Sequence, residues 1–179
     1  MSATLDNQRL SSLLPCAPAI VSAGRSFPVD CRYQPLSSHE QFEDGVASRV
    51  KRLLNEQSGS LLLFLPGVGE IHRVMERLHG EVASDTDLCP LYGALPLSEQ
   101  QKAIQPALAG RRKVVLATNI AETSLTIEGI RLVVDSGLER VACFDVKNGL
   151  TRLVTQRISQ ASMIQRAGRA GRLEPGICW

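Results

Sequence analysis

Apolar residues along this chain fall into two arrangements: short unbroken runs, and stripes in which every third or fourth position is apolar. The runs Ser60–Leu65, Leu88–Tyr92, Val114–Thr118 and Ile130–Asp135 have the length of strands buried on both faces. The stripes Phe42, Val46, Val50, Leu53, then Ile71, Val74, Met75, Leu78, then Ala103, Ile104, Leu108 have the spacing of one helical face. Ser38 with Gln41, and Ser98 with Gln101, match the capping box and predict where the first and third helices begin. Pro66-Gly67 turns the chain into the second helix, which ends near Gly80. Val29–Leu36 alternates as a half-buried strand does. Further on, VACFDV and LTRLVTQ flank Lys147-Asn148-Gly149, an Asn-Gly hairpin signal. Ser159 or Ser162 then caps a last helix leading into Gln165–Arg172. Strand and helix alternating over short links predict an α/β fold, a mostly parallel sheet with helices on both faces.

The 179 residues fit one domain with a real core, and 44% apolar content describes a globular protein. Met1 to Pro28 carries Pro15, Pro18 and Pro28 with little periodicity and reads as a connector, so the domain is expected at 29–179. No apolar run approaches the ~20 residues that a bilayer span needs, and Met1 leads into polar SATLDNQR, unlike a signal peptide. The five cysteines are scattered without a C-x-x-C, as reduced structural thiols of a cytoplasmic protein are. No metal site is expected, and His39, His72 and His79 read as surface residues. A net charge of +2 is too small for bulk attraction to a polyanion, so any grip on nucleic acid must be local. With aromatics at 4%, contact is expected through phosphate and sugar rather than stacked bases.

Two segments carry chemistry. QRAGRAGR, Gln165–Arg172, places Arg166, Arg169 and Arg172 at three-residue spacing, which predicts that they share one helical face. Guanidinium groups fork two N–H donors at phosphate oxygens, and Gly168 and Gly171 let another backbone or a nucleotide come close. An Arg/Gly stretch that merely grips RNA would run on, whereas this one stops in LEPGICW. TNIAETSLTI, Thr118–Ile127, sets Thr118, Asn119, Thr123, Ser124 and Thr126 beyond the carboxyl end of a buried strand, where α/β sheets hold ligands; such residues also cap short helices.

These segments resemble motifs V and VI of the DEAH-box helicases of superfamily two, in the same order. The resemblance spans nearly the whole chain: Ser2-Ala3-Thr4 is similar to motif III, LLLFLPG (Leu61–Gly67) to motif IV, and LYGAL (Leu91–Leu95) to motif IVa. GRSFPV (Gly24–Val29) and the run RKVVLATNIAETSLTIEGIRLVVD look most like the bacterial HrpB branch. The resemblance implies the second RecA-like lobe of an ATP-dependent, 3′-to-5′ RNA helicase, with a β-hairpin insertion between motifs V and VI and an interlobe connector containing motif III at 1–28. ATP, or another NTP, with Mg²⁺ would be held mainly by the first lobe of the same parent chain. Met1–Trp179 has no G-x-x-x-x-G-K-S/T cradle and no DEAH or DExH tetrapeptide, so no turnover is expected from this chain alone.

The same resemblance implies residue roles. Arg169 and Arg172 reach a triphosphate across the cleft, Gln165 orients the attacking water, and Arg166 makes a structural salt bridge. Thr126 and Glu128 lie at the ribose, and Ile104 at the base. Thr118, Asn119 and Ser124, with the backbone of Gly67 and Gly93, follow single-stranded RNA; Lys147 and Arg152 of the hairpin meet phosphates near a duplex junction. Three positions depart from the pattern: Glu128 replaces the usual Asp, Ile104 an aromatic residue, and Pro66 a Thr. An Ile contact alone implies loose discrimination among NTPs. The implied partners are RNA, with DNA left open, and the first lobe; a cytoplasmic monomer is expected. Two other readings stand beside this one, an RNA-binding adaptor without an ATPase partner and a DNA translocase lobe.

Overall fold

A computed structural model describes residues 12, 13 and 27–179 except Ser124. Motif III and most of the connector lie outside the described residues. The strands are β1 (Val29–Cys31), β2 (Ser60–Phe64), β3 (Thr86–Leu91), β4 (Arg112–Ala117), β5 (Ile130–Asp135), β6 (Leu138–Asp145), β7 (Leu150–Arg157) and β8 (Gly176–Cys178). The helices are α1 (Phe42–Glu56), α2 (Val68–Leu78), α3 (Leu97–Ile104), α4 (Ile120–Thr123) and α5 (Gln160–Ala167). Six strands form one sheet in the order β1-β8-β5-β2-β4-β3, every neighbouring pair parallel, and β6 and β7 form an antiparallel hairpin.

Period-two alternation sorts the central strands onto two faces. Leu61, Leu63, Val114, Leu116, Leu132 and Val134 face α1 and α2, packing on Val46, Val50, Leu53, Ile71 and Val74. Leu62, Phe64, Val115, Ala117 and Val133 face the other way, against Ala103 of α3, Ala121 of α4 and Ala170 beyond α5. This is the parallel sheet with helices on both faces that the alternation of strand and helix predicts, and the RecA-like form that the resemblance implies.

Element ends depart from the sequence reading in several places. Neither capping box forms: α1 begins after Gln41 and α3 after Pro96, both without a side-chain cap, because Ser37–Glu40 closes a turn of its own and Ser98 lies inside the first turn of α3. Leu108 lies beyond α3 and is exposed. Ser159 does cap α5, its hydroxyl accepting from the Ser162 N–H at 3.1 Å. The strand expected over Val29–Leu36 is only three residues long. At the far edge, β3 contains Pro90; Leu91 O accepts from Thr118 N, so by alternation Pro90 faces the open side, where its missing N–H blunts the edge. The hairpin loop is four residues, 146–149, with Asp145 O accepting from Gly149 N and only Gly149 at positive φ (64°), so it is not the two-residue Asn-Gly turn.

Candidate nucleotide and nucleic-acid site

Parallel strands align their carboxyl ends, and the strand order places the loops after β2, β4 and β3 side by side. Gly67 lies in the first, Thr118 and Asn119 in the second and Gly93 in the third. Main-chain hydrogen bonds lace them together: Leu65 N donates to Ala117 O at 2.8 Å, and Thr118 N to Leu91 O at 3.2 Å. Four of the nucleic-acid candidates thus share one edge, while Ser124 lies outside the described residues. Gly67 also begins α2, and a Cβ there would collide with the Arg140 guanidinium of β6. Arg140 pairs with Glu70 of α2 at 3.1 Å, which brings the hairpin root to the same edge. At its tip Lys147 is exposed, and Arg152 is ion-paired with Asp145 rather than free.

The arginines of QRAGRAGR do not share a helical face. α5 ends at Ala167, so Arg169 and Arg172 lie in the turns that follow. Arg166, with 1% of its side chain exposed, donates to Glu122 Oε2 (2.9 Å), Asp135 Oδ1 (3.0 Å) and Leu138 O (3.2 Å), and its guanidinium stacks 4.8 Å from the Phe64 ring centroid. This is the structural salt bridge expected of it. Arg169 is also buried but touches no carboxylate among the described residues: it donates to Leu125 O at 2.7 Å and to Glu122 O. Burial, then the neighbouring Arg172, lowers its pKa to about 10, so it stays protonated at neutral pH. Arg172 is exposed, its Nη1 donating to Thr126 Oγ1 at 3.0 Å. Gln165 Oε1 is buried with no hydrogen-bond partner among the described residues.

Two contacts involve the nucleotide candidates, one of them with an arginine of this turn. Thr126 joins Arg172, and Glu128, two residues on, donates its N–H to Ile104 O at 3.3 Å at the end of α3. The glycines of this region differ. A Cβ on Gly171 would lie 2.5 Å from Phe27 O and one on Gly176 2.5 Å from the Ala170 Cβ, whereas Gly168 is exposed and meets only carbonyls of its own helix. Gly171 therefore serves a backbone contact, and Gly168 leaves open space. Lys113, buried beneath Ile104, escaped the sequence reading; the phase of β4, which sets residue 113 on the face of Val115 and Ala117, is the signal that finds it.

Residues 45–174 match the family described as the helicase conserved C-terminal domain, and the chain belongs to it. It is 69% identical over 177 residues, 99% of this chain, to the ATP-dependent RNA helicase HrpB of Escherichia coli (strain K12), and 42% identical over 99% of this chain to the pre-mRNA-splicing factor ATP-dependent RNA helicase prp22 of Schizosaccharomyces pombe. It spans 22% and 16% of those relatives' lengths. A crystal structure of the E. coli DExH-box NTPase HrpB superposes with a TM-score of 0.91 at 68% identity, over 99% of this chain and 22% of that one.

Proposed function

We propose that this chain is the second RecA-like lobe of a 3′-to-5′ RNA helicase driven by ATP or another NTP. Arg169 and Arg172 neutralise the γ-phosphate of a nucleotide that, with its Mg²⁺, a first lobe of the same parent holds, and Gln165 positions the attacking water. Thr126 and Glu128 meet the ribose and Ile104 the base. The observation that carries this reading is the pair Arg169 and Arg172, neither of which meets a carboxylate among the described residues: Arg169 is held by the carbonyls of Leu125 and Glu122 and Arg172 by the Thr126 hydroxyl. An arginine presented from a neighbouring domain contributes about 10³–10⁵ in rate to phosphoryl transfer. Gly67, Gly93, Thr118, Asn119 and Ser124 follow the backbone of single-stranded RNA, with Lys147 and Arg152 on the hairpin beside them. As the lobes close on nucleotide and part after hydrolysis, this edge shifts its hold on the strand. The parent works as a cytoplasmic monomer, and this lobe alone hydrolyses nothing.

The test is Arg169→Lys in the two-lobed parent. RNA-stimulated NTP hydrolysis should vanish, because an ammonium cannot reproduce the fork of a guanidinium, while RNA affinity stays within about twofold. Equal loss of both activities would make Arg169 a nucleic-acid ligand instead.

A further inference from the structure

Lys113 is, among the described residues, the only buried lysine, 2% exposed at the second position of β4. No carboxylate among the described residues lies within ion-pairing distance of it. A buried ammonium without a counter-ion is costly and persists only where it satisfies other groups. Its Nζ donates to Ala103 O at 2.5 Å and to Gln105 O, the carbonyls on either side of Ile104. The Ile104 carbonyl itself accepts from Glu128 N. Three successive carbonyls at the end of α3 are thereby satisfied, two by one side chain and one by the segment that also carries Thr126. A helix terminus can be capped by water or by a surface lysine at no such cost. Here the cap comes out of the sheet and holds the backbone on both sides of Ile104, whose own carbonyl meets the Glu128 N–H.

Resting on the nucleotide-lobe reading above, we propose that Lys113 is a positioning residue for the nucleobase: by clamping the α3 terminus it sets Ile104 at a fixed height above Glu128, where the base of the bound nucleoside triphosphate lies. Lys113 touches no part of the nucleotide. It acts through Ile104, so its removal affects recognition of the base and spares the triphosphate, which Arg169 and Arg172 engage from a separate turn. Burial also lowers the pKa of the ammonium, in keeping with a group held by geometry rather than by an ion pair.

The experiment compares Lys113→Met with the wild type in the two-lobed parent, using ATP and ribose 5′-triphosphate, which lacks the base. The KM for ATP should rise about fivefold, the size of one loosened apolar contact, with kcat within about twofold. Both constants for ribose 5′-triphosphate should be unchanged. Lys113→Arg, which keeps charge and donors, should restore the ATP KM. Ile104→Ala should reproduce the selective rise, and Lys113→Met added to it should contribute nothing more. Equal impairment with both substrates, or additive effects of the two substitutions, would reduce Lys113 to a structural cap and overturn the proposal. Lys113→Gln, which leaves an uncharged donor, takes the place of Lys113→Met in the same comparison if the methionine variant does not fold. A wild-type parent that turns over neither substrate would sink the nucleotide-lobe reading itself, a result distinct from failure of the Lys113 proposal.

Discussion

Replacing Arg166 with Met keeps the length and much of the apolar contact with Phe64 but removes the cation from between Glu122 and Asp135. Those carboxylates are 11% and 8% exposed, so each would be left buried with its charge uncompensated. Breaking a buried ion pair from one side costs about 3–5 kcal/mol, a large share of the ~5–15 kcal/mol that holds a typical domain together. The loss should depend on pH. Burial already pushes Asp135 above its ordinary value of 3.8, opposed chiefly by Arg166. An acid whose folded-state pKa lies above its unfolded one binds its proton more tightly when folded, so stability falls as pH rises from the unfolded value through the folded one. Without Arg166 that window widens, and the variant's deficit should be near its full size at pH 8 and smaller at pH 5, where the Asp135 carboxyl takes up its proton. Urea unfolding of wild type and Arg166→Met, followed by far-ultraviolet circular dichroism at both pH values, measures this directly. A deficit below about 1 kcal/mol at pH 8, or the same deficit at pH 5, would mean that Arg166 is not the keystone of a desolvated triad.

Cys178 is pushed up to about 12 by burial, with Cys31 opposite it in register, against an ordinary value of 9.0. A thiol that holds its proton in the fold but loses it on unfolding makes stability fall as pH rises from about 9 towards 12, by about 1 kcal/mol between pH 8 and pH 10. Cys178→Ala should flatten that alkaline slope by about one proton per molecule; an unchanged slope would show that the thiol ionises in place. Gly176→Ala should cost about 2–3 kcal/mol, since its Cβ would press on the Ala170 backbone. Gly168→Ala, in a right-handed helical conformation with only its own helix nearby, should be neutral or slightly stabilising in the isolated lobe. Thermal unfolding of the two variants side by side checks both, and a harmless Gly176→Ala would contradict the packing of β8 under the motif VI turn.

The central strands were legible because a strand buried on both faces leaves an unbroken apolar run, as β2, β4 and β5 do. The hairpin was legible from its alternation, although its loop is longer than Asn-Gly suggests. β8 was not: three residues with a single large apolar side chain carry no period, and the strand exists because β1 and β5 pair with it on either side. The starts of α1 and α3 went astray because Ser and Gln at capping-box spacing describe a preference that tertiary placement overrode. Three-residue spacing put the arginines on one helical face, but α5 ends after the first of them and the turn sends each elsewhere. Their chemistry was legible from residue type; their partners were not, since Glu122 lies 44 residues from Arg166 in sequence. Lys113 was hidden by composition: a lysine after two arginines looks solvated, and only the phase of its strand says otherwise.

The division among the three arginines has an electrostatic logic. Arg166 engages both nearby carboxylates, Glu122 and Asp135, and neutralises them inside the fold. Arg169 and Arg172 are left with a carbonyl pair and a hydroxyl, which orient a guanidinium without cancelling its charge. Two like charges side by side repel, and Arg172 does depress the pKa of Arg169. On the proposed function that repulsion is relieved when a polyanion arrives, so the pair favours the closed, nucleotide-bound arrangement of the lobes over the open one. Had Glu122 paired with Arg169 instead, an incoming phosphate would have had to displace an existing ion pair, and much of its attraction would have been spent in doing so. On the same proposal, Arg166 acts on nucleotide binding without facing the nucleotide, by keeping the Glu122 carboxylate away from the arginine three residues on.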